Sequence, residues 1–326
     1  MAREMMYGEA IGTAMTEEMQ RDESVVLYGQ NLAMTERDPM LRKFGKKRVR
    51  IAPISETAEM GVAVGAALTG LRPIVELWMC EFMLVAFDEL INEAPRLRYM
   101  SGGQVKVPLV FKAGYGFAAG WAGQHSNCVY HTMMGIPGLK IALPSDAADA
   151  KGLMAAAIRD DNPVVYLHHY MLTLDKGPVP EGEYVIPFGV ADVKREGSDV
   201  TIVATGWMVK KSLAAAELLS QQGISAEVID PRTLAPLDID TILKSVKKTG
   251  RLVLVDQATR HASAAAIIAA EVAESDSKLL KAPLKMVTAL DTSIPFSEPL
   301  ENFVLPNEEK IVAAVKSVLA RQAAGV

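Results

Sequence analysis

Short runs of β-branched and apolar residues alternate with helix-like stretches along almost the whole chain. In the first half, the predicted strands are residues 25–28, 73–76, 107–111, 139–143 and 163–167. The predicted helices between them are residues 9–20, 57–69, 82–99 and 146–159. Strands that alternate with helices form parallel sheets with crossover helices on both faces. The alternation therefore predicts an α/β fold of the doubly wound type.

A segment rich in proline and glycine, residues 176–187, interrupts this alternation and is typical of a linker. After it, strands are predicted at 199–204, 225–230, 251–256 and 284–288, with helices at 207–221, 238–247, 261–274 and 307–321. The sequence therefore predicts two doubly wound domains: a first domain over residues 1–180, a linker over 181–190 and a smaller domain over 191–326.

Composition narrows the function classes. The 326 residues are 50% hydrophobic and 22% charged, which is typical of a soluble globular protein. A net charge of -5 without a basic face argues against nucleic-acid binding. No apolar stretch reaches the roughly 18 residues of a membrane span. With only Cys80 and Cys128 available for a disulfide, we expect buried thiols and a cytoplasmic location.

An acidic residue lies at the N-terminus of the predicted helix 57–69. Ser55 is a favourable N-cap, and Glu56 then falls in the first turn, where the helix dipole favours negative charge. Gly61 and Gly65 lie on one face, and each costs about 1 kcal/mol relative to Ala in a helix interior. Close approach by a partner helix or a ligand would offset that cost, whereas a capped helix with a solvated Glu remains the simpler alternative.

A glycine-rich loop follows the predicted strand 107–111, at the edge where parallel sheets bind ligands. Gly114–Ala119 formally fits a dinucleotide pattern, but neither a helix directly after it nor an acid about twenty residues later supports this. His125, Cys128 and His131 have a spacing that suggests zinc, although three-residue steps scatter these side chains around a helix. His125 as a polar active-site group and His125 as an ordinary loop histidine both remain open.

An ordered set of motifs resembles the β subunit of the first, decarboxylating component of 2-oxoacid and acetoin dehydrogenase complexes, in the transketolase superfamily. The resemblance extends from about residue 5 to 320. The motifs are Pro53-Ile-Ser-Glu56, Gly70-Leu-Arg-Pro-Ile, Phe82, Phe87-Asp-Glu-Leu-Ile-Asn92, Tyr99-Met-Ser-Gly-Gly103, Gln124-His-Ser126, Asp149-Ala-Lys-Gly-Leu and Asp230-Pro-Arg-Thr-Leu.

The resemblance implies that residues 1–180 bind the pyrimidine of thiamine diphosphate. In this family, the residue matching Glu56 bonds a pyrimidine nitrogen and favours the imino tautomer that deprotonates the thiazolium carbon. Phe82 matches the aromatic residue that stacks on the pyrimidine. His125 matches a histidine that assists proton transfer or reductive acylation of the lipoyl arm.

The resemblance also implies metal ions and partners. A structural potassium ion would be held largely by backbone oxygens of Leu109, Ala157, Ile158, Asp160 and Asn162. The Gly-Asp-Gly…Asn motif that binds Mg²⁺ and the diphosphate does not occur in this chain. A separate α subunit would bring it, in an α2β2 heterotetramer that passes the acyl group to a lipoylated acyltransferase core.

Several residues depart from the family pattern. Gly29-Gln30-Asn31 stands where relatives commonly have Gly-Glu-Asp, and Gln257 stands where they have Glu. Trp78, Cys80 and Glu81 also differ, so substrate choice between a 2-oxoacid and acetoin stays open. Two alternatives are a subunit of a split transketolase that moves ketol units and a scaffold paralogue without catalytic activity.

Overall fold

The computed structural model describes residues 2–30, 39–276 and 278–320. They form two compact units. The first comprises the described residues up to Tyr115 together with Thr132–Phe188, and the second comprises Gly116–His131 and the described residues from Gly189 onward. The second unit therefore takes a short segment from within the first half of the chain. The domain boundaries expected from the sequence stay a prediction.

The first unit contains a parallel sheet with strand order β6-β7-β5-β4-β2-β3. Its strands are β2 Val25–Gly29, β3 Val49–Ile51, β4 Arg72–Met79, β5 Val110–Tyr115, β6 Lys140–Ala142 and β7 Val164–His169. Its helices are α1 Tyr7–Arg21, α2 Pro39–Arg48, α3 Glu56–Leu68, α4 Ala94–Met100 and α5 Ala147–Arg159. A separate antiparallel pair joins β1 Ala2–Met6 to β8 Lys176–Pro180.

Two segments of this unit show more detail than the sequence predicts. The predicted helix 82–99 is divided into a 3-10 helix, Cys80–Ala86, a π-helical turn, Glu89–Glu93, and α4. All residues of 82–99 are nevertheless helical, as predicted, and Pro95, whose missing N–H is tolerated in the first turn of α4, lies just after the π-helical turn. The first part of the predicted linker segment is β8, whose prolines are accommodated because the strand lies in a two-stranded sheet.

The second unit repeats the architecture with strand order β14-β13-β10-β11-β9, in which only β9 is antiparallel. The strands of this sheet are β9 Asp192–Arg195, β10 Val200–Ala204, β11 Ala226–Asp230, β13 Leu252–Thr259 and β14 Lys285–Ala289, and the short strand β12 Thr233–Ala235 lies outside it. Its helices are α6 Trp207–Ser220, α7 Ile239–Thr249, α8 Ala264–Ser275, α9 Glu298–Val304 and α10 Glu308–Ala320.

Helices cover both faces of the second sheet. Apolar residues of α6 and α10 pack against one face, around Ile202 and Val255. Residues of α7 and α8 pack against the other face, around Val203 and Leu254. The doubly wound α/β fold predicted from the alternation is therefore confirmed.

Two findings bear on the composition argument. Within the described part of the chain, every helix is too short or too polar to cross a membrane. Cys80 and Cys128 are both buried and unbridged, as predicted.

Candidate active site

Glu56 is the first residue of α3, and the end of β2 brings a partner to it. A Cβ at Gly29, the last residue of β2, would lie 2.3 Å from the carbonyl oxygen of Glu76, so only glycine fits there. The next residue, Gln30, is buried, and its Nε2 donates a hydrogen bond to Glu56 Oε1 at 3.2 Å. Among the described residues, this is the hydrogen bond that the half-buried Glu56 carboxyl accepts. Gln30 thus holds Oε1 of Glu56, whereas Oε2 remains available to accept a hydrogen bond from a ligand.

A second acid, which sequence reasoning missed, lies beside Glu56. The Ser55 side chain does not cap α3, but its backbone N–H donates to Glu59 Oε1 at 3.2 Å. Glu59 is only 1% exposed, and its Oε2 has no hydrogen-bond partner among the described residues. Burial raises the pKa of Glu59, and the negative charge of Glu56 raises it further. The i,i+3 spacing places the two acids on one face of α3, but it does not indicate that one of them is buried.

The remaining face of α3 is not covered within the described chain. The nearest neighbour of a Cβ at Gly61 would be the Glu89 side chain, 3.7 Å away, and a Cβ at Gly65 would meet nothing within 4 Å. Val62 is 56% exposed and Leu68 is 42% exposed. The close approach predicted at the two glycines is therefore not made by the described residues of this chain.

Phe82 lies on the 3-10 helix that packs beside α3 in the same unit. Its side chain is half-buried, and Thr57 Oγ1 of α3 donates to the Val85 carbonyl at 3.1 Å, joining the two elements. Trp78 also lies near this segment, and its carbonyl oxygen accepts a hydrogen bond from the Tyr170 hydroxyl. The fold thus places Glu56 and Phe82 on neighbouring elements.

His125 belongs to the second unit, on the irregular loop Gly116–His131. The loop is closed by a hydrogen bond from Gly116 N–H to the Asn127 carbonyl at 3.1 Å. The half-buried imidazole lies 5.9 Å from the Trp121 ring, centroid to centroid. In the described residues, no three His, Cys, Asp or Glu side chains converge as a metal site would require, so the zinc alternative finds no support.

The resemblance assigns a potassium ion to Leu109, Ala157, Ile158, Asp160 and Asn162. The structure brings hydrogen-bond donors to several of these carbonyl oxygens. Arg72 Nη1 donates to the carbonyls of Ile158 and Asp160, at 3.0 Å each, and Val164 N–H donates to the Leu109 carbonyl at 2.8 Å. A guanidinium therefore already faces part of the proposed ligand set.

Comparison with known families decides the classification. Residues 3–173 match the family described as transketolase, pyrimidine binding domain, and residues 189–311 match the transketolase C-terminal domain. The chain belongs to the transketolase family. It is 43% identical over 340 residues to the acetoin:2,6-dichlorophenolindophenol oxidoreductase subunit beta of Bacillus subtilis, covering 99% of both chains. It is 45% identical over 315 residues to the pyruvate dehydrogenase E1 component subunit beta of Rickettsia felis, covering 95% and 97%.

A solved structure also resembles this transketolase-family chain. It is described as a split gene transketolase, inactive beta4 tetramer, and superposes with a TM-score of 0.79 at 26% identity, covering 96% of this chain and 97% of that one. The resemblance to acetoin and pyruvate dehydrogenase β subunits, stated from the sequence motifs, is confirmed.

Proposed function

We propose that this chain is the β subunit of a thiamine diphosphate-dependent dehydrogenase that acts on acetoin or a 2-oxoacid. The observation that carries the proposal is the identity of 43–45% to β subunits of such enzymes over nearly the full length of both chains. The candidate site agrees with this proposal. Glu56, at the N-terminus of α3 in the pyrimidine-binding region, has one carboxyl oxygen that Gln30 does not contact.

The residues around the N-terminus of α3 are suited to binding an aminopyrimidine. Glu56 would hold a ring nitrogen with the oxygen that Gln30 leaves free, and Phe82 would offer an aromatic face for stacking. When bound, the cofactor would supply the nucleophilic carbon and the electron sink for cleavage of the substrate. In this reaction, the Glu56 carboxyl of this chain would hold a proton and share it with the ring. This general acid-base role is typically worth about 10²- to 10⁴-fold in rate.

His125 completes the proposed catalytic set. As a half-buried imidazole on a glycine-rich loop, it can donate or accept a proton during substrate cleavage or transfer of the acyl group. The acceptor in this proposal is a lipoylated arm of an acyltransferase core.

An α subunit is the proposed partner, in an α2β2 heterotetramer, and it would hold most of the Mg²⁺ and diphosphate site. The uncovered apolar face of α3, with Val62, Gly65 and Leu68, supports assembly with another chain because apolar surface of this kind is normally buried.

We also propose a cytoplasmic location, which the unbridged Cys80 and Cys128 support.

The proposal includes a structural potassium ion held by backbone carbonyls. Backbone carbonyls are suitable ligands for a hard cation, but Arg72 donates to two of them. Potassium would therefore have to share these oxygens with a guanidinium. Melting curves of the assembled protein in matched KCl and choline chloride would detect binding as a potassium-specific rise in Tm.

The proposed function is tested by coexpressing the chain with an α subunit of the acetoin or pyruvate type. The complex is assayed with acetoin, pyruvate and branched 2-oxoacids, each with and without thiamine diphosphate. Glu56→Gln should abolish cofactor-dependent activity while the complex still assembles. Glu23→Gln, an exposed acid just before β2, is the matched control and should retain activity. Full activity in Glu56→Gln would refute the assigned role.

A split transketolase is the second candidate, favoured by the structural match at a TM-score of 0.79. Transfer of two-carbon units between sugar phosphates, without any reaction with acetoin or 2-oxoacids, would select it. Assembly without activity toward either substrate class would instead favour a scaffold paralogue.

A further inference from the structure

The loop Gly116–His131 is held within the second unit by side chains from two distant parts of the sequence, the end of β13 and helix α9. Gln257 Nε2 donates to the Gly116 carbonyl at 3.1 Å. The Tyr130 hydroxyl donates to the buried carboxyl of Asp256. Between these two anchors, Gly120 N–H donates to both carboxyl oxygens of Glu301, at 3.3 and 3.2 Å. The Glu301 contact is the anchor that lies on the turn leading into His125.

Glu301 is an unusual residue for a helix of seven residues. It lies in α9, is only 3% exposed, and accepts hydrogen bonds through its carboxyl from Gly120 alone among the described residues. Burial raises the pKa of Glu301, and the nearby charge of Glu298 raises it further. Burying an ionisable group is costly unless its contacts are needed, so a residue that only filled space here would be better apolar.

The loop segment that Glu301 contacts has a strained backbone. Gly120 has φ +75°, and Ala122 has φ +61°, a conformation that non-glycine residues rarely adopt. His125 N–H donates to the Ala122 carbonyl at 3.3 Å, so this turn leads directly into the histidine. A Cβ at Gly120 would lie 3.2 Å from the Phe296 carbonyl oxygen, which shows how closely the chain preceding α9 packs on the turn. Such strain persists only where surrounding groups hold it.

We propose that Glu301 is a positioning residue for His125: through the Gly120 N–H it fixes the strained turn that sets the direction of the imidazole. The catalytic consequence rests on the proposed function, in which His125 transfers protons. The positioning itself is a property of the loop and can be measured without activity. Because both carboxyl oxygens accept the same N–H, a neutral amide of equal size should hold the turn less firmly.

The experiment compares wild type, Glu301→Gln and Glu301→Leu in the complex with the α subunit. Glu298→Gln is the matched control, because it removes an exposed charge one turn earlier in the same helix. Hydrogen exchange followed by mass spectrometry separates peptides covering residues 117–127 from those covering 298–305. Steady-state kinetics on the substrate that the complex accepts then gives kcat and KM.

We expect exchange in 117–127 to become about tenfold faster in Glu301→Gln, the effect of weakening one charge-assisted hydrogen bond. The value of kcat should fall by about tenfold while KM stays unchanged, because the loss concerns orientation rather than substrate binding. Glu301→Leu should show larger effects of the same kind, and Glu298→Gln should match wild type. If Glu301→Leu does not fold, the isosteric glutamine variant carries the test alone.

The outcomes separate the two proposals. Faster exchange in 117–127 with unchanged kcat would support the positioning and refute the catalytic role of His125. Faster exchange confined to 298–305, or none at all, would overturn the positioning, since Glu301 would then only stabilise its own helix or do nothing measurable. A fall in kcat without any change in loop exchange would overturn it as well.

Discussion

Replacing Gln30 by methionine tests whether its amide orients the Glu56 carboxyl. Methionine has nearly the same length and can occupy the same buried position, but it cannot donate a hydrogen bond. Gln30→Met therefore removes the contact between Nε2 and Glu56 Oε1 with little change in packing. The carboxyl would then be free to rotate, and its second oxygen would no longer point in one direction.

The expected magnitude follows from the contact itself. A hydrogen bond to a charged group contributes about 1.5–3 kcal/mol net. At 3.2 Å this one is longer than the usual 2.9–3.0 Å, and Glu56 is only half-buried, so the lower end of the range applies. About 1.5 kcal/mol corresponds to a fall of roughly tenfold in kcat/KM.

The assay uses the α-containing complex at saturating cofactor, with cofactor affinity measured separately by fluorescence quenching. Gln20→Met, on the exposed face of α1, controls for the chemical change and should leave kcat/KM unaltered. Values for Gln30→Met within twofold of wild type, at equal thermal stability, would refute the idea that this amide orients Glu56.

Gln30→Glu extends the test with pH. Two ionised carboxylates 3.2 Å apart would repel by about 5 kcal/mol at an effective dielectric constant of 20, so the pair would share a proton. The shared proton restores a hydrogen bond to Glu56, whereas full ionisation breaks it. Activity of Gln30→Glu should therefore be closest to wild type at low pH and fall as pH rises. An unchanged pH profile would contradict this reasoning.

Three further predictions concern stability. Glu18→Gln removes a buried carboxylate that pairs with two partly exposed arginines, and should lower the free energy of unfolding in urea by about 1.5–3 kcal/mol, the contribution of hydrogen bonds to a charged group. Gly114→Ala should destabilise by about 1–3 kcal/mol in the same assay, because the new Cβ would lie 2.3 Å from the Tyr170 ring. The hydrogen bond from Lys106 lowers the pKa of Asp161 below 3.8 in the folded protein. The ionised Asp161 carboxylate therefore stabilises the fold fully above pH 3.8, and this stabilisation is lost as the pH falls through the folded-state pKa. Asp161→Asn should therefore show a weaker loss of Tm in acid than wild type, measured by scanning calorimetry.

Regular elements with a clear period were predictable from the sequence. The helix predicted at 57–69 is α3, Glu56–Leu68, and the helix predicted at 146–159 is α5, Ala147–Arg159. Both have compact apolar patterns without internal proline, so local propensity and tertiary packing agree. The helix predicted at 82–99 is also helical throughout, but it contains 3-10 and π-helical turns before Pro95, which the apolar pattern does not indicate.

The candidate site was only partly predictable. Glu56 could be identified because a capping residue followed by an acid is a recognisable pattern at a helix N-terminus. The motif resemblance then gave Glu56 a role. Gln30 was noted only as a departure from relatives, although the structure shows that its amide contacts Glu56. That contact depends on the end of β2 passing close to Glu76, a packing relation between strands that no single segment reveals.

Glu301 was not predicted, and the physical reason is general. Its hydrogen-bond partner is the backbone N–H of Gly120, 181 residues away in sequence, and a backbone donor is present whatever the residue type. Side-chain pairs leave complementary charges in the sequence, whereas a carboxyl bound to a main-chain N–H leaves an acid without a visible partner. In Glu298–Val304, two acids three residues apart read as the solvated face of a short helix. Only the burial of one of them distinguishes it from its neighbour, and burial is set by how the loop and helix pack together.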